Sequence, residues 1–139
     1  ATLYGLSATQ LFKTSDGGRS WRLLDVGGAG PYLSALAVDP QASTTLYLGT
    51  AGTYYLAARG VFKSSDGGQT WRAVTAGLSS LSLSVSVLTI DSRTPATIYA
   101  AARRRHGEVP ESDAGLLKST VSKMMRARRS YFTIDVASI

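Results

Sequence analysis

The side chains best suited to chemistry lie close together in the last third of the chain. Glu108, Glu111 and Asp113 are acidic, and the only histidine, His106, stands just before them. Two carboxylates at a suitable separation can hydrolyse a glycoside, one as acid and the other as nucleophile or base. These four residues are the candidate catalytic residues, and a solvated loop of mixed charge is the alternative explanation of the same pattern.

A second group of side chains is suited to binding rather than to catalysis. Guanidinium groups bind carboxylate, sulfate or phosphate through paired hydrogen bonds, and flat tyrosine rings offer stacking surfaces for a sugar. A solvated basic loop and ordinary packing are the alternatives. The candidate ligand-binding residues are Tyr54, Tyr55, Arg59, Arg103, Arg104 and Arg105.

Composition narrows the classes of partner. With one histidine and no cysteine, the chain predicts neither a metal site nor a cofactor. The net charge is +6, but the basic segment 118–129 lacks interleaved aromatic residues and any nucleic-acid motif, so we do not expect a nucleic-acid partner. No apolar run is long enough to span a membrane, and no signal peptide is visible, so the compartment stays unassigned.

The elements that must position these residues come from an internal repeat. Residues 15–21 read SDGGRSW, and residues 65–71 read SDGGQTW. Short β-favouring runs and turn formers recur at the same spacing, which predicts four strands per unit: A (34–38), B (45–49), C (60–64) and D (70–74). The sequence therefore predicts an all-β protein.

The repeated motif itself predicts a braced turn between strands C and D. Its aspartate can accept backbone N–H bonds, its glycines can supply positive φ, and its tryptophan can fill the gap between sheets. We expect a structural role for Ser15, Asp16, Gly18, Trp21, Ser65, Asp66, Gly68 and Trp71.

The motif Ser-x-Asp-x-Gly-x-Ser/Thr-Trp resembles the Asp-box, or BNR repeat, of sialidases, sortilin-type receptors, xyloglucan-cleaving hydrolases and many uncharacterised bacterial propellers. The resemblance covers roughly residues 1–120 and implies β-propeller blades of four antiparallel strands. It also implies that the turns lie away from any active site, and it favours an exported bacterial protein. The arginine triad of sialidases is not reproduced, because Arg103, Arg104 and Arg105 are consecutive.

The strand order predicts how the single repeat domain, residues 1–139, is divided. The units are 1–24, 33–75 and 85–130, which gives three blades' worth of strands, with the third motif replaced by a basic stretch. The first unit lacks strand A, and residues 131–135 resemble one. We therefore predict strand exchange, in which residues 131–135 complete the 2–4 blade of a partner chain, to give a closed six-bladed homodimer. A piece of a longer array is the alternative.

The predicted function is that of a non-catalytic binding or scaffold module for carbohydrate or protein ligands. The loops that join B to C and D to A lie opposite the braced turns, and they carry the candidate residues. The first alternative is a hydrolase acting on a glycoside or an anionic ester, with a composite site on that loop face. The second is a fragment or engineered repeat without a selected function.

Overall fold

The computed structural model describes residues 1–30, 32–53, 56–74, 84–95, 97–103, 124–126 and 129–135. Their regular structure is all-β except for a 3-10 turn at Gly27–Ala29. In chain order the strands are β1 (Leu3–Leu6), β2 (Leu11–Thr14), β3 (Arg22–Leu24), β4 (Leu33–Val38), β5 (Leu46–Thr50), β6 (Val61–Ser64), β7 (Arg72–Ala73), β8 (Ser84–Ile90), β9 (Thr97–Arg103), β10 (Met124–Arg126) and β11 (Arg129–Asp135).

These strands form three antiparallel sheets. The first sheet has the order β1-β2-β3, the second β4-β5-β6-β7, and the third β10-β11-β9-β8. Every described pair is antiparallel, as short strands joined by tight turns require. The all-β prediction is confirmed, and the second sheet reproduces the predicted A, B, C and D strands to within two residues at each end.

The first sheet has three strands, as its sequence predicts. It contains the equivalents of strands B, C and D, and the described residues place nothing beside the free edge of β1. Leu3, at the start of that strand, is 45% exposed, although leucine usually sits in the core of a sheet protein.

The second sheet is buried on both faces because it lies between the other two. All five residues of β5 are buried, and the alternation of a β-strand sends them in opposite directions. Leu48 packs into a cluster with residues of the first sheet, such as Leu11 and Leu24. Tyr47 packs into a cluster with residues of the third sheet, such as Ile98. The apolar core therefore consists of two layers, one at each junction between sheets.

A glycine sets the distance between the second and third sheets. A Cβ added at Gly49 would lie 2.7 Å from Cγ1 of Val85 on β8 and 3.3 Å from Cβ of Ala35 on β4. The first of these separations is too short for carbon atoms. Gly49 therefore allows β8 to approach the backbone of β5 directly.

The C-terminal strand differs from the prediction of strand exchange. β11 pairs with β9 of its own chain, with Tyr131 opposite Ala101 and Asp135 opposite Thr97. It occupies the position expected for strand C of the third unit, and β10 lies outside it. The run of β-branched and aromatic residues in β11 has a strong strand preference, and the open edge of β9 is the nearest template. The predicted exchange is therefore not what the structure shows.

Candidate functional site

Hydrogen bonds join neighbouring loops on the face that is predicted to carry the site residues. Leu33 N donates to Ala8 O at 2.7 Å, and Ala51 N donates to Tyr32 O at 3.0 Å. Gly52 N donates to the hydroxyl of Ser84, at the start of β8, at 2.9 Å. These bonds connect B-to-C loops with the segments that enter strand A. The described part of the loop face is thus a connected rim.

Arg59, a predicted ligand-binding residue, is engaged in this rim. Its Nη1 donates to the carbonyl oxygen of Gly28 at 2.7 Å. A Cβ added at Gly30 would lie 3.3 Å from the Arg59 Cδ, so the side chain passes close to this glycine. The backbone N–H of Arg59 donates to the Thr50 hydroxyl at 2.8 Å. Arg59 therefore links the loop after β5 to the segment after β3, and one of its guanidinium nitrogens is already used.

Most of the other predicted site residues lie outside the described residues. These are Tyr54, Tyr55, Arg104, Arg105, His106, Glu108, Glu111 and Asp113. Arg103 is the last residue of β9 and lies opposite Ser84 of β8, so the first of the three consecutive arginines belongs to a strand.

The two repeated motifs form matching turns at the opposite end of the sheets. In residues 65–71, Asp66 Oδ1 accepts the backbone N–H groups of Gln69 and Thr70, each at 2.9 Å, and Oδ2 accepts the Thr70 hydroxyl. In residues 15–21, Asp16 accepts the Ser20 N–H at 3.0 Å and the Ser20 hydroxyl. Each carboxylate is thus held by donors of its own turn.

The glycines of these turns have the positive φ that the motif predicts. Gly67 and Gly68 have φ of 72° and 89°, and the N–H of Gly67 donates to Thr44 O at 2.8 Å. The equivalent bond in the first turn runs from Gly17 N to Ala1 O at 2.9 Å. These bonds connect the turn between C and D to the residue just ahead of strand B, so both lie at the same end of the sheet.

The hydroxyl groups that brace the turns sit one position before the predicted serines. Ser64 Oγ donates to Asp66 Oδ1 at 2.7 Å and accepts the Gly68 N–H at 2.9 Å. Thr14 takes the same place in the first turn, at 2.6 Å and 3.0 Å. Ser15 and Ser65 are exposed. Thr14 and Ser64 are the buried last residues of β2 and β6, and the serine that follows each of them points to solvent.

Hydrogen bonding lowers the pKa of both turn aspartates. The bonds from the hydroxyl and N–H of Ser20 and from the hydroxyl of Thr14 lower the pKa of Asp16 far below its ordinary value. The hydroxyl and N–H of Thr70 and the hydroxyl of Ser64 do the same to the pKa of Asp66. Near neutral pH both carboxyl groups are therefore ionised and weakly basic, so neither is suited to act as a general acid or a general base.

A groove lies between the segment that leaves the first sheet and the turn of the second. Its volume is about 270 Å³, and its lining includes Asp25, Gly27, Gly28, Phe62, Gln69 and Trp71. The indole Nε1 of Trp71 donates to Gly68 O at 3.2 Å, which fixes the ring. Asp25 Oδ1 accepts the Gly27 N–H at 2.8 Å. Nothing in the sequence alone pointed to this groove, because its two halves come from different repeats.

The two tryptophans of the repeat are in different environments. Trp21 is 47% exposed. Trp71 is partly buried and packs against the cluster between the first and second sheets. The segment after β3 lies across the groove from Trp71, and the described residues provide no such neighbour for Trp21. A groove of this kind therefore requires a preceding unit.

The described residues contain no group of three or more histidine, aspartate or glutamate side chains that could hold a metal ion. None of their helices has the length and hydropathy needed to cross a bilayer.

Comparison with solved structures identifies enzymes with a similar fold. The GH74 enzyme of Niastella koreensis shares 24% identity at a TM-score of 0.57, over 73% of this chain and 15% of that enzyme. An ancestral GH74 enzyme shares 20% identity at a TM-score of 0.52, over 72% of this chain and 13% of that one. The chain therefore spans about one seventh of the length of these enzymes. No protein-family model and no curated protein sequence matches the chain.

The likeness and the described sheets together establish the fold class. The chain forms successive antiparallel sheets of three, four and four strands that pack face to face, and such sheets are blades of a β-propeller. At this level of identity the likeness concerns the fold alone.

Proposed function

We propose that this chain is a non-catalytic binding or scaffold module of propeller type, whose braced turns are Asp-boxes and whose ligand is a carbohydrate or a protein. The observation that carries the proposal is the bonding of Asp16 and Asp66. Both carboxylates are occupied by donors of their own turns, so the repeated motif serves the scaffold. Binding then falls to the loops and to the grooves between sheets.

The likeness to GH74 enzymes supports carbohydrate as the first ligand class to test. Those two proteins are enzymes, and the part of each that this chain matches is about one seventh of its length. The same likeness favours a glycoside hydrolase as the second candidate. In that case the acidic residues Glu108, Glu111 and Asp113, with His106, are the groups to test.

A glycan microarray probed with the purified chain tests the binding proposal. We expect saturable binding to one class of oligosaccharide, without release of reducing sugar from the same glycan in solution. The control variants are Glu108→Gln, Glu111→Gln and His106→Ala. If the chain hydrolyses a glycan and one of these variants abolishes the hydrolysis, the non-catalytic proposal is wrong and the hydrolase candidate replaces it. An array and a protein-interaction screen that both show no ligand would also contradict the proposal.

We also propose that the three sheets require further blades to close a ring, since propellers have about four to eight. A second copy of the chain is the simplest source, which gives six blades, and the exposed edge of β1 is the surface that needs a partner. The pairing of β11 with β9 argues against exchange of that strand, so association would use other surfaces. Light scattering after size-exclusion chromatography tests this point. A folded monomer at micromolar concentration would overturn the dimer.

A further inference from the structure

The groove between the first and second sheets has the features of a site for one small polar ring. Its volume of about 270 Å³ lies just below the range for pockets that hold drug-sized ligands, about 300–1,000 Å³, so it suits a smaller ligand. Trp71, which is partly buried, supplies the aromatic surface, and the buried Phe62 lies at the base. Asp25, Gln69 and the backbone of Gly27 supply polar atoms. An aromatic wall combined with a few convergent hydrogen-bonding groups is the usual composition of a specific pocket.

The groups of the groove are held in place before any ligand arrives. The bond from Trp71 Nε1 to Gly68 O fixes the indole ring, and Gly68 in turn donates to the buried hydroxyl of Ser64. On the other side, Arg59 holds the carbonyl of Gly28. A preorganised site loses little conformational entropy on binding.

The polar groups also define the chemistry of the ligand. Asp25 uses Oδ1 for the Gly27 N–H, and its Oδ2 has no partner among the described residues. Gln69 donates through Nε2 to Asp66 O, and its amide oxygen accepts no hydrogen bond from the described residues. Both free atoms are hydrogen-bond acceptors, so they suit hydroxyl groups. The negative charge of Asp25 disfavours an anionic ligand.

We propose that this groove binds a neutral pyranose ring, which stacks on Trp71 and donates hydroxyl hydrogen bonds to Asp25 and Gln69. This inference rests on the proposed carbohydrate-binding function and names a site for it. The site lies at the junction of two sheets, beside the Gly28 carbonyl that Arg59 holds.

The two indole N–H signals in a ¹H–¹⁵N correlation spectrum test the proposal, because the chain has only two tryptophans. The Trp21→Phe variant assigns them. The probes are cellobiose and methyl β-glucopyranoside, with glucuronic acid as the anionic comparator. We expect the Trp71 signal to shift saturably with the neutral sugars and the Trp21 signal to stay in place. Glucuronic acid should bind more weakly.

Two matched substitutions examine the polar contacts. Asp25→Asn keeps an oxygen for the Gly27 N–H but replaces the free acceptor, so the affinity should fall roughly tenfold. Gln69→Ala should also weaken binding, whereas Arg19→Ala, at the same position of the first turn, should leave the affinity unchanged. Backbone signals outside the groove confirm that each variant is folded.

The outcomes separate this inference from the proposed function. If a glycan binds and shifts loop signals while the Trp71 signal stays unmoved, the groove is not the site and the binding function stands. If glucuronic acid binds as tightly as cellobiose, or Asp25→Asn has no effect, the assigned polar contacts are wrong. If neither the array nor the spectrum detects any glycan, carbohydrate binding itself is contradicted.

Discussion

The ammonium group of Lys13, on β2 of the first sheet, donates a hydrogen bond of 3.3 Å to the carbonyl oxygen of Gly67, in the turn of the second sheet. The same ammonium lies 5.4 Å from the centre of the Tyr4 ring. The Tyr4 hydroxyl donates to Ser43 O, in the turn between β4 and β5 of the second sheet, at 3.3 Å. A lysine and a tyrosine of one blade thus fasten the turn end of the next.

Replacing Lys13 with methionine should weaken this junction. Lys13→Met keeps the apolar stem but removes the donor and the charge, and it should lower the free energy of unfolding by about 1 kcal/mol. Chemical denaturation measures the change. The control is Lys63→Met, because Lys63 stands 5.5 Å from the Tyr47 ring in the same relationship. Equal losses in the two variants would show that the bond to Gly67 contributes nothing.

Removing the hydroxyl of Ser64 should destabilise the second turn. Ser64 is almost fully buried, and Ser64→Ala leaves the buried N–H of Gly68 without its partner. We expect a loss of about 1–3 kcal/mol in the free energy of unfolding. Ser65→Ala, at the neighbouring exposed position, should stay within about 0.5 kcal/mol of the parent. A larger loss for Ser65→Ala than for Ser64→Ala would show that Ser65 braces the turn.

We expect the protein to lose stability in acid because its turn aspartates must then be protonated. Hydrogen bonds lower the pKa of Asp16, Asp66 and Asp91 in the folded state. Their contribution is therefore complete above the unfolded pKa of about 3.9 and is lost as the pH falls toward the folded values. The thermal midpoint should stay level from about pH 7 to pH 5 and decline below about pH 4. The Asp16→Asn, Asp66→Asn double variant should show a shallower decline, and an identical decline would contradict this assignment.

Alanine at Gly49 should separate the second and third sheets. The new Cβ would meet Val85 Cγ1 at 2.7 Å, so Gly49→Ala should cost about 1–3 kcal/mol in the free energy of unfolding. Adding Val85→Ala should recover part of that loss, which a double-mutant cycle measures. Gly5→Ala is the control, because its Cβ would meet Trp21 at an ordinary 3.4 Å. Strictly additive losses would exclude the Val85 contact as the cause.

Local patterns predict much of this fold. The β-favouring runs, the turn formers and the repeat spacing predict the positions of the strands and the lack of a strand A in the first unit. They also predict the turns that hold Asp16 and Asp66. They do so because these features depend on residues within a few positions of each other. The bracing hydroxyl belongs to Ser64 and not to Ser65, because the pattern Ser-x-Asp places the serine two residues before Asp66, where the strand buries it.

Relationships between distant segments are less predictable. β11 resembles strand A, but which edge it joins depends on the competition among open edges in three dimensions. Arg59 is predicted from its residue type to bind a ligand, but the sequence does not show that it also bonds to Gly28, 31 positions away. The groove beside Trp71 depends on Asp25 and Gln69, which no sequence motif connects.

The groove has a consequence for longer arrays of this repeat. One wall comes from the segment that leaves a unit, and the other comes from the turn of the unit that follows. Each added unit would therefore create one more groove, so valency would grow with copy number and weak single contacts would combine into avidity for a polymer. Thr75 stands in the second unit where Asp25 stands in the first, so successive grooves would differ in selectivity.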